Sequence, residues 1–505
     1  MEQPLPKLEQ DFLQFVRKTL HLNEALNLML WDMKTGAPKR GLELRAEAFG
    51  TLSAEAHAMS TSVQMKSYID RLSEQAAFEN LSNITKKTLD EVKWKYEQNK
   101  KIPVHEYKEY MVLQANAGSI WETARERSDF AMFRPCLEKL VEFNRRFADY
   151  WGYDGNRYDA HLDLHEPGMT VETLDGVFAK VKEHIVTLVK RVTEANDQPR
   201  TSFLFHYFPK DKQRELSLYL LKTMGYDFDS GRLDETVHPF AISINHNDVR
   251  VTTAYYEHDF RKSVFSTIHE GGHALYEQNI AKELIGTPLC AVASGGIDES
   301  QSLFWEKIIG QHKGFWKCHY PALKEWNRDQ FEGVELEDFY RAIHFVEPSS
   351  IRLRSDELTY QLHIIIRYEI EKALFNKEIE VKDLPGIWNE KMSAYLGITS
   401  PDDAQGVLQD MHWSLGLFGY FPSYALGYVY AAQFRNTLMQ DLPDFNAFVE
   451  SGNLAPIKAW LTDKIHQYGK RKKPNEFLQD VTGEGLNPDY LLRYFEQKYT
   501  EIYRL

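Results

Sequence analysis

The chain has 505 residues, 43% of them hydrophobic and 27% charged, the balance of a globular protein able to bury a large core. Its formal net charge of −14 at pH 7 argues against nucleic acid and anionic membrane surfaces as partners, since both would repel it. Three scattered cysteines, Cys136, Cys290 and Cys318, exclude a disulfide framework and a C-x-x-C metal site.

The opening "MEQPLPKLEQDF" has neither the basic start nor the apolar stretch of a secretory signal. No apolar run nears the ~20 residues that cross a bilayer, so a cytoplasmic location is expected. Apolar residues then recur at three- and four-residue intervals in "LDEVKWKYEQNK" (89–100) and "FRPCLEKLVEFNRRFADYWG" (133–152), which predicts amphipathic helices. "GYDG" and "HEPGMT" are the next breaks along the chain.

Around residue 240 the pattern changes. "HPFAISI" (238–244) and "VRVTTAYY" (249–256) are short, rich in β-branched and aromatic residues, and separated by "NHND", which predicts a hairpin. Asp259 is a candidate N-cap for the next helix, so a small sheet should lie against it. That helix contains "HEGGH". His269 and His273 stand at i and i+4, one helical face, where two imidazoles can reach a single zinc-sized ion. Glu270 lies beside that face, placed to act on water rather than on the metal, which is the general-base arrangement of metallopeptidases. Gly271 and Gly272 each cost the helix roughly 1 kcal/mol relative to alanine, which points to a close approach by a sheet edge or another helix.

A site with two imidazoles needs a third protein ligand. Glu299, in "SGGIDESQSLFWEK", is the leading candidate, at the start of another amphipathic helix (Leu303, Phe304, Ile308). Asp298 and Glu306 compete for the role, and either could instead orient a ligand imidazole. A further helix is predicted in "LTYQLHIIIRYEIEKALFNK" (358–377), with "KDLPG" and "GITSPDD" as later breaks. With no repeat or long linker, the chain is expected to form one mainly α-helical unit over 1–505, with two halves around a groove.

These residues, with "HPF" (238–240), "DVRVTT" (248–253), "ESQ" (299–301), "IRLRSD" (351–356) and "GVLQDMHW" (406–413), make the chain similar to the carboxypeptidase Taq family of metallocarboxypeptidases. "LMLWDMKT", "WETARERSDFAMFRPCLEKLV" and "YDAHLDLHEPGMT" extend the resemblance over nearly the whole length. It implies an architecture like that of neurolysin and angiotensin-converting enzyme, with a deep groove and a small sheet beside the metal. It also implies release of single C-terminal amino acids from peptides with broad tolerance, one zinc (or cobalt) ion per subunit, and a homodimer. The ligands it implies are His269, His273 and Glu299, with Glu270 as base. The family usually has His where this chain has Asp298, and Ala where it has Ser355.

Peptide hydrolysis also needs donors for the developing oxyanion. "HWSLGLFGYFPSYALGYVY" offers His412, Tyr420, Tyr424 and Tyr428, with packing in an aromatic core as the competing role for each. A terminal carboxylate suits a bidentate arginine, either Arg352 or Arg250; internal pairs with Asp356 or Asp248 are the competing reading. His238 is a candidate for hydrogen bonds to substrate backbone, and the strand "VRVTTAYY" for pairing with an extended peptide. The alternative activity on the same site is that of an endopeptidase or dipeptidyl-type peptidase.

Overall fold

The computed structural model of the protein describes residues 5–505. It is mainly α-helical, with one small sheet, as expected. The periodic segments match helices Asn83–Lys101, Phe130–Trp151 and Tyr360–Phe375, overhanging the second by one residue and the third by two at each end. In the second of these, Asp129 caps the start by accepting from Met132 N at 3.2 Å, and Gly152 ends it at φ +86°. Between them Phe133, Leu137, Leu140, Val141 and Phe147 are buried at helical spacing. The apolar side chains sort into a large core and a smaller one. The smaller lies under the N-terminal helices and includes Leu8, Phe12, Val16, Ile69 and Leu89.

The hairpin forms as β2 (Ala241–Asn245) and β3 (Asp248–Thr253), antiparallel and joined through a register irregularity between Ser243 and Asn245. A third strand, β1 (Leu233–Glu235), pairs in parallel with β3, giving the order β1-β3-β2. β3 is therefore central, with both edges used, and cannot take up an extended peptide; that expectation fails. The edge of interest is β2. Thr252 N donates to Phe240 O at 2.9 Å, so alternation turns the backbone groups of Ala241 and Ser243 away from β3. Asn27 Nδ2, from the N-terminal helix Leu5–Thr35, meets Ser243 O on that side at 2.9 Å.

Val249 and Val251 of β3 are buried, and Thr253 Oγ1 lies 3.1 Å from both Ser266 Oγ and Thr267 Oγ1 of the helix Phe260–Gln278. The sheet thus rests on the helix that carries His269 and His273. Asp259 occupies the N-cap position but makes no cap bond; its carboxylate accepts from Arg261 Nε at 2.8 Å instead.

Candidate metal centre

Three helices are layered here. Gly295–Leu303 lies between the histidine helix and Phe421–Asp441. Glycine makes both contacts close. A β-carbon on Gly272 would stand 2.6 Å from Ser302 Cα and 2.8 Å from Gln301 O, and one on Gly427 would stand 2.6 Å from Glu299 Cβ. Gly271 faces the Lys210–Met224 helix, where a β-carbon would meet Leu221 Cδ2 at 2.7 Å. Both glycines of "HEGGH" thus admit neighbouring helices rather than the sheet. Glu166 anchors the start of the middle helix, accepting from Gly296 N and from Tyr430 OH, each at 2.8 Å.

This packing delivers Glu299 to the histidines. Its Oε2 lies 3.5 Å from His269 Nε2 and 3.2 Å from His273 Nε2. Ligands about 2.0–2.1 Å from a tetrahedral ion would be roughly 3.3 Å apart, so the donor set fits a zinc-sized cation. Asp298 and Glu306 take the other ring nitrogens. Glu306 Oε2 is 2.9 Å from His269 Nδ1, while its Oε1 is 2.6 Å from Lys307 Nζ. Asp298 Oδ1 is 2.9 Å from His273 Nδ1, at an angle bent for a hydrogen bond. Of the three acids, only Glu299 faces both Nε2 atoms, and the other two fix the imidazoles' orientation.

The electrostatics favour a cation. Burial lowers the pKa of His269, but Glu299 and then Glu306 outweigh it and hold it at about 10. His273 is likewise held well above its usual value, by Asp298 and Glu299 against burial. Glu270 is buried one residue along the helix; burial raises its pKa and the two histidines only partly offset this, a shift toward the range that suits a general base.

Glu306 and Lys307 sit in a π-helical turn, Phe304–Ile309, closed by Gly310 N donating to Trp305 O at 2.7 Å. Such turns are rare and concentrate at functional sites. The helix expected from Leu303, Phe304 and Ile308 therefore exists but changes its winding at Glu306.

A second cluster gathers several of the other candidates. His412 Nε2 is 3.2 Å from Tyr424 OH, and the Tyr420 and Tyr424 rings are 5.2 Å apart. Arg352 is buried, 5.2 Å from the Tyr424 ring, and donates to Tyr360 OH at 2.8 Å. Burial and, among other charges, that of Glu299 raise the pKa of Tyr420, Tyr424 and Tyr360, which are therefore neutral hydrogen donors. Burial lowers His412 to about 4, so it is neutral too. Tyr360 does not stand out in the sequence; nothing local marks a tyrosine at a helix start.

Other candidates lie elsewhere. Tyr428 is in the core, hydrogen-bonded to Glu357. Arg250 is held by Asp248 through two 2.7 Å bonds and lines a cleft of about 540 Å³ with Trp31, Arg232 and Glu235, which includes none of the metal-site residues. His238 is exposed between β1 and β2. Arg352 does have an acidic partner, but it is Asp410, 2.9 Å away, rather than Asp356. Asp356 instead accepts from Leu358 N and Thr359 N, both at 2.9 Å.

Two histidines four apart, a carboxylate from an adjoining helix and a buried glutamate beside them define a metallopeptidase-type centre in a helical frame. The carboxypeptidase Taq (M32) metallopeptidase family profile matches residues 11–499. Carboxypeptidase 1 of Bacillus subtilis is 55% identical over 497 residues, covering 98% of this chain and 99% of its own. Thermostable carboxypeptidase 1 of Thermus thermophilus is 38% identical over 504 residues, covering 98% of each. The crystal structure of the M32 carboxypeptidase from Deinococcus radiodurans R1 superposes with a TM-score of 0.96 at 32% identity, covering 99% of this chain and 100% of that one. The chain belongs to the carboxypeptidase Taq family and is a metallocarboxypeptidase.

Proposed function

We propose that the enzyme removes single residues from the C-termini of peptides with broad side-chain tolerance, using His269, His273 and Glu299 to hold one zinc ion per subunit, with cobalt as the alternative metal. The observation that carries this reading is the second cluster: a buried guanidinium, Arg352, joined to Tyr360 and Tyr424 beside the metal helices. A fixed cation at that place suits a substrate's terminal carboxylate.

The bound ion supplies Lewis acidity and lowers the pKa of water toward about 7. Glu270 accepts the proton from the attacking water and passes it on to the leaving amine. Tyr420, Tyr424 and His412 surround the reacting carbonyl as neutral donors that can meet negative charge without adding any. Which of them touches the oxyanion is a question for single variants. The peptide backbone lies along the edge of β2 at Ala241, next to the Ser243 carbonyl that Asn27 already occupies, with His238 near one end. Arg250, paired with Asp248 in its own cleft, has only a supporting part in this scheme.

No helix among the described residues is long and apolar enough to cross a membrane. A homodimer in the cytoplasm, acting on peptides with a free C-terminus, completes the proposal, by resemblance to the family. The deciding experiment follows a peptide by mass spectrometry with metal-loaded enzyme. Products should shorten one residue at a time from the C-terminus, and C-terminal amidation should suppress cleavage while N-acetylation does not. Efficient internal cutting of a doubly blocked peptide would establish the endopeptidase alternative instead.

A further inference from the structure

Arg352 shares its carboxylate. Asp410 Oδ1 accepts from Arg352 Nε at 3.0 Å, and Asp410 Oδ2 accepts from Arg367 Nε at 2.7 Å. Arg367 Nη2 stands 2.6 Å from the same Oδ2. Arg367 comes from the interior of the helix Tyr360–Phe375 and is 0% exposed. It donates to His363 O at 2.7 Å and lies 4.6 Å from the Trp388 ring centre. The Phe421 ring packs against both guanidiniums, 5.5 Å from that of Arg367 and 5.7 Å from that of Arg352. No substrate atom could reach it there.

Burying a second guanidinium on a carboxylate that already has a partner is expensive, and one arginine would have sufficed to neutralise Asp410. The charge count shows what the second one changes. Arg352 with Asp410 alone is a neutral pair; two guanidiniums with one carboxylate leave one net positive charge. His363 and His412, which face this group, are kept neutral by burial at about 3 and about 4. Glu371, one turn beyond Arg367, is turned to its own donors, Trp413 Nε1 at 2.7 Å, Gly419 N at 2.9 Å and Tyr158 OH, and burial lifts its pKa to about 7, so it adds only a partial negative charge near Arg367.

We propose that Arg367 is a positioning residue for recognition of the terminal carboxylate: it offsets the charge of Asp410, so that Asp410 can orient Arg352 without cancelling its attraction for an anion. This rests on Arg352 being the group that binds the terminal carboxylate. It makes the anchor a triad in which one cation meets the substrate and the other maintains the field from behind.

The test uses the metal-loaded full-length enzyme and an N-blocked dipeptide with a free carboxylate. Arg367→Gln should lower kcat/KM about tenfold or more, as expected for loss of a buried charge near an ionic contact. Arg367→Lys, which keeps the charge but not the planar fork, should stay within about threefold of wild type. The distinctive arm is Arg367→Gln combined with Asp410→Asn. The amide keeps an oxygen for Arg352 and removes the negative charge, so the double variant should recover most of the lost activity, whereas accumulating structural damage would leave it worse than the single variant. Unchanged kcat/KM in Arg367→Gln, an equal loss in Arg367→Lys, or no recovery in the double variant each overturns the proposal. Arg352→Gln separates the two readings. If it is also unimpaired, the carboxylate anchor itself is elsewhere; if it alone is impaired, only the role of Arg367 falls.

Discussion

Gly272 and Ser302 touch so closely that a β-carbon on the glycine would stand 2.6 Å from Ser302 Cα. The neighbour is backbone and cannot swing aside. Gly272→Ala gains about 1 kcal/mol of helix propensity but incurs overpacking of about 1–3 kcal/mol or more, and it pushes Glu299 away from the histidines. We expect a lower thermal midpoint together with weaker metal binding. Gly118, inside the helix Val104–Arg127 with nothing near its absent side chain, is the control; Gly118→Ala should raise the midpoint. A stabilised Gly272→Ala with full metal content would contradict the packing argument.

Glu270→Gln should separate binding from chemistry. Its carboxylate is not among the three metal-facing groups, so metal content should match wild type. Turnover should fall by about 10²–10⁴, the usual worth of a positioned base, because the amide cannot take the proton. Near-normal kcat would remove Glu270 from the reaction.

Metal affinity should grade with distance from the ion. Glu306→Gln, which changes the partner of His269 Nδ1 and of Lys307 Nζ but none of the three metal-facing groups, should weaken binding by about 10–100-fold. Glu299→Ala removes the proposed direct ligand and should exceed that range. Competition with a chromophoric chelator measures both, and the reverse order would mean that the ligand has been misassigned.

Glu166 predicts a pH effect. Burial pushes its pKa up to about 7 from 4.5, although Tyr430 and Gly296 pull the other way. A folded-state pKa above the unfolded one gives stability that is complete below about 4.5 and is lost as pH rises through about 7. Glu166→Gln keeps an oxygen for Gly296 N, offers Tyr430 an amide hydrogen, and carries no charge to lose. The midpoint of the variant minus that of wild type should therefore rise between about pH 4 and about pH 8, by the equivalent of about 3 kcal/mol. A difference that does not change with pH would mean that Glu166 does not titrate in that window.

The three candidate metal-facing residues could be picked out because helical spacing is local: four residues separate His269 from His273, and the hydrophobic period places Glu299 on the next helix, although in its interior rather than at its start. The long helices were legible for the same reason. β1 was not. It is three residues long, does not alternate, and exists because β3 offers it a parallel edge. The Arg352 cluster was half legible. Arg352 stood out chemically, but sequence proximity suggested Asp356 as its partner, whereas the fold brings in Asp410 and Arg367 from separate segments. Tyr428 was misleading in the opposite way, since it shares a helix and nearly a face with Tyr424, but one turn further along it is buried against Glu357, Tyr494 and Phe495. The strand chosen for peptide pairing failed because a good β pattern says nothing about whether a strand will be central or at an edge.

The π-helical turn at Phe304–Ile309 has a consequence for how this region can change over time. It contains one residue more than an α-helical turn would use, between Glu299 on one side and Gly310, packed on Ile268, on the other. Losing one residue there would let the turn close as α-helix with the flanking segments near their present phase, but losing a second would rotate one against the other by about 100°. Glu299 and Gly310 could then no longer both meet the histidine helix. Side chains in this stretch can be exchanged one at a time, but its length can shrink by only the one extra residue, so longer deletions and further insertions should be purged here even where substitutions accumulate.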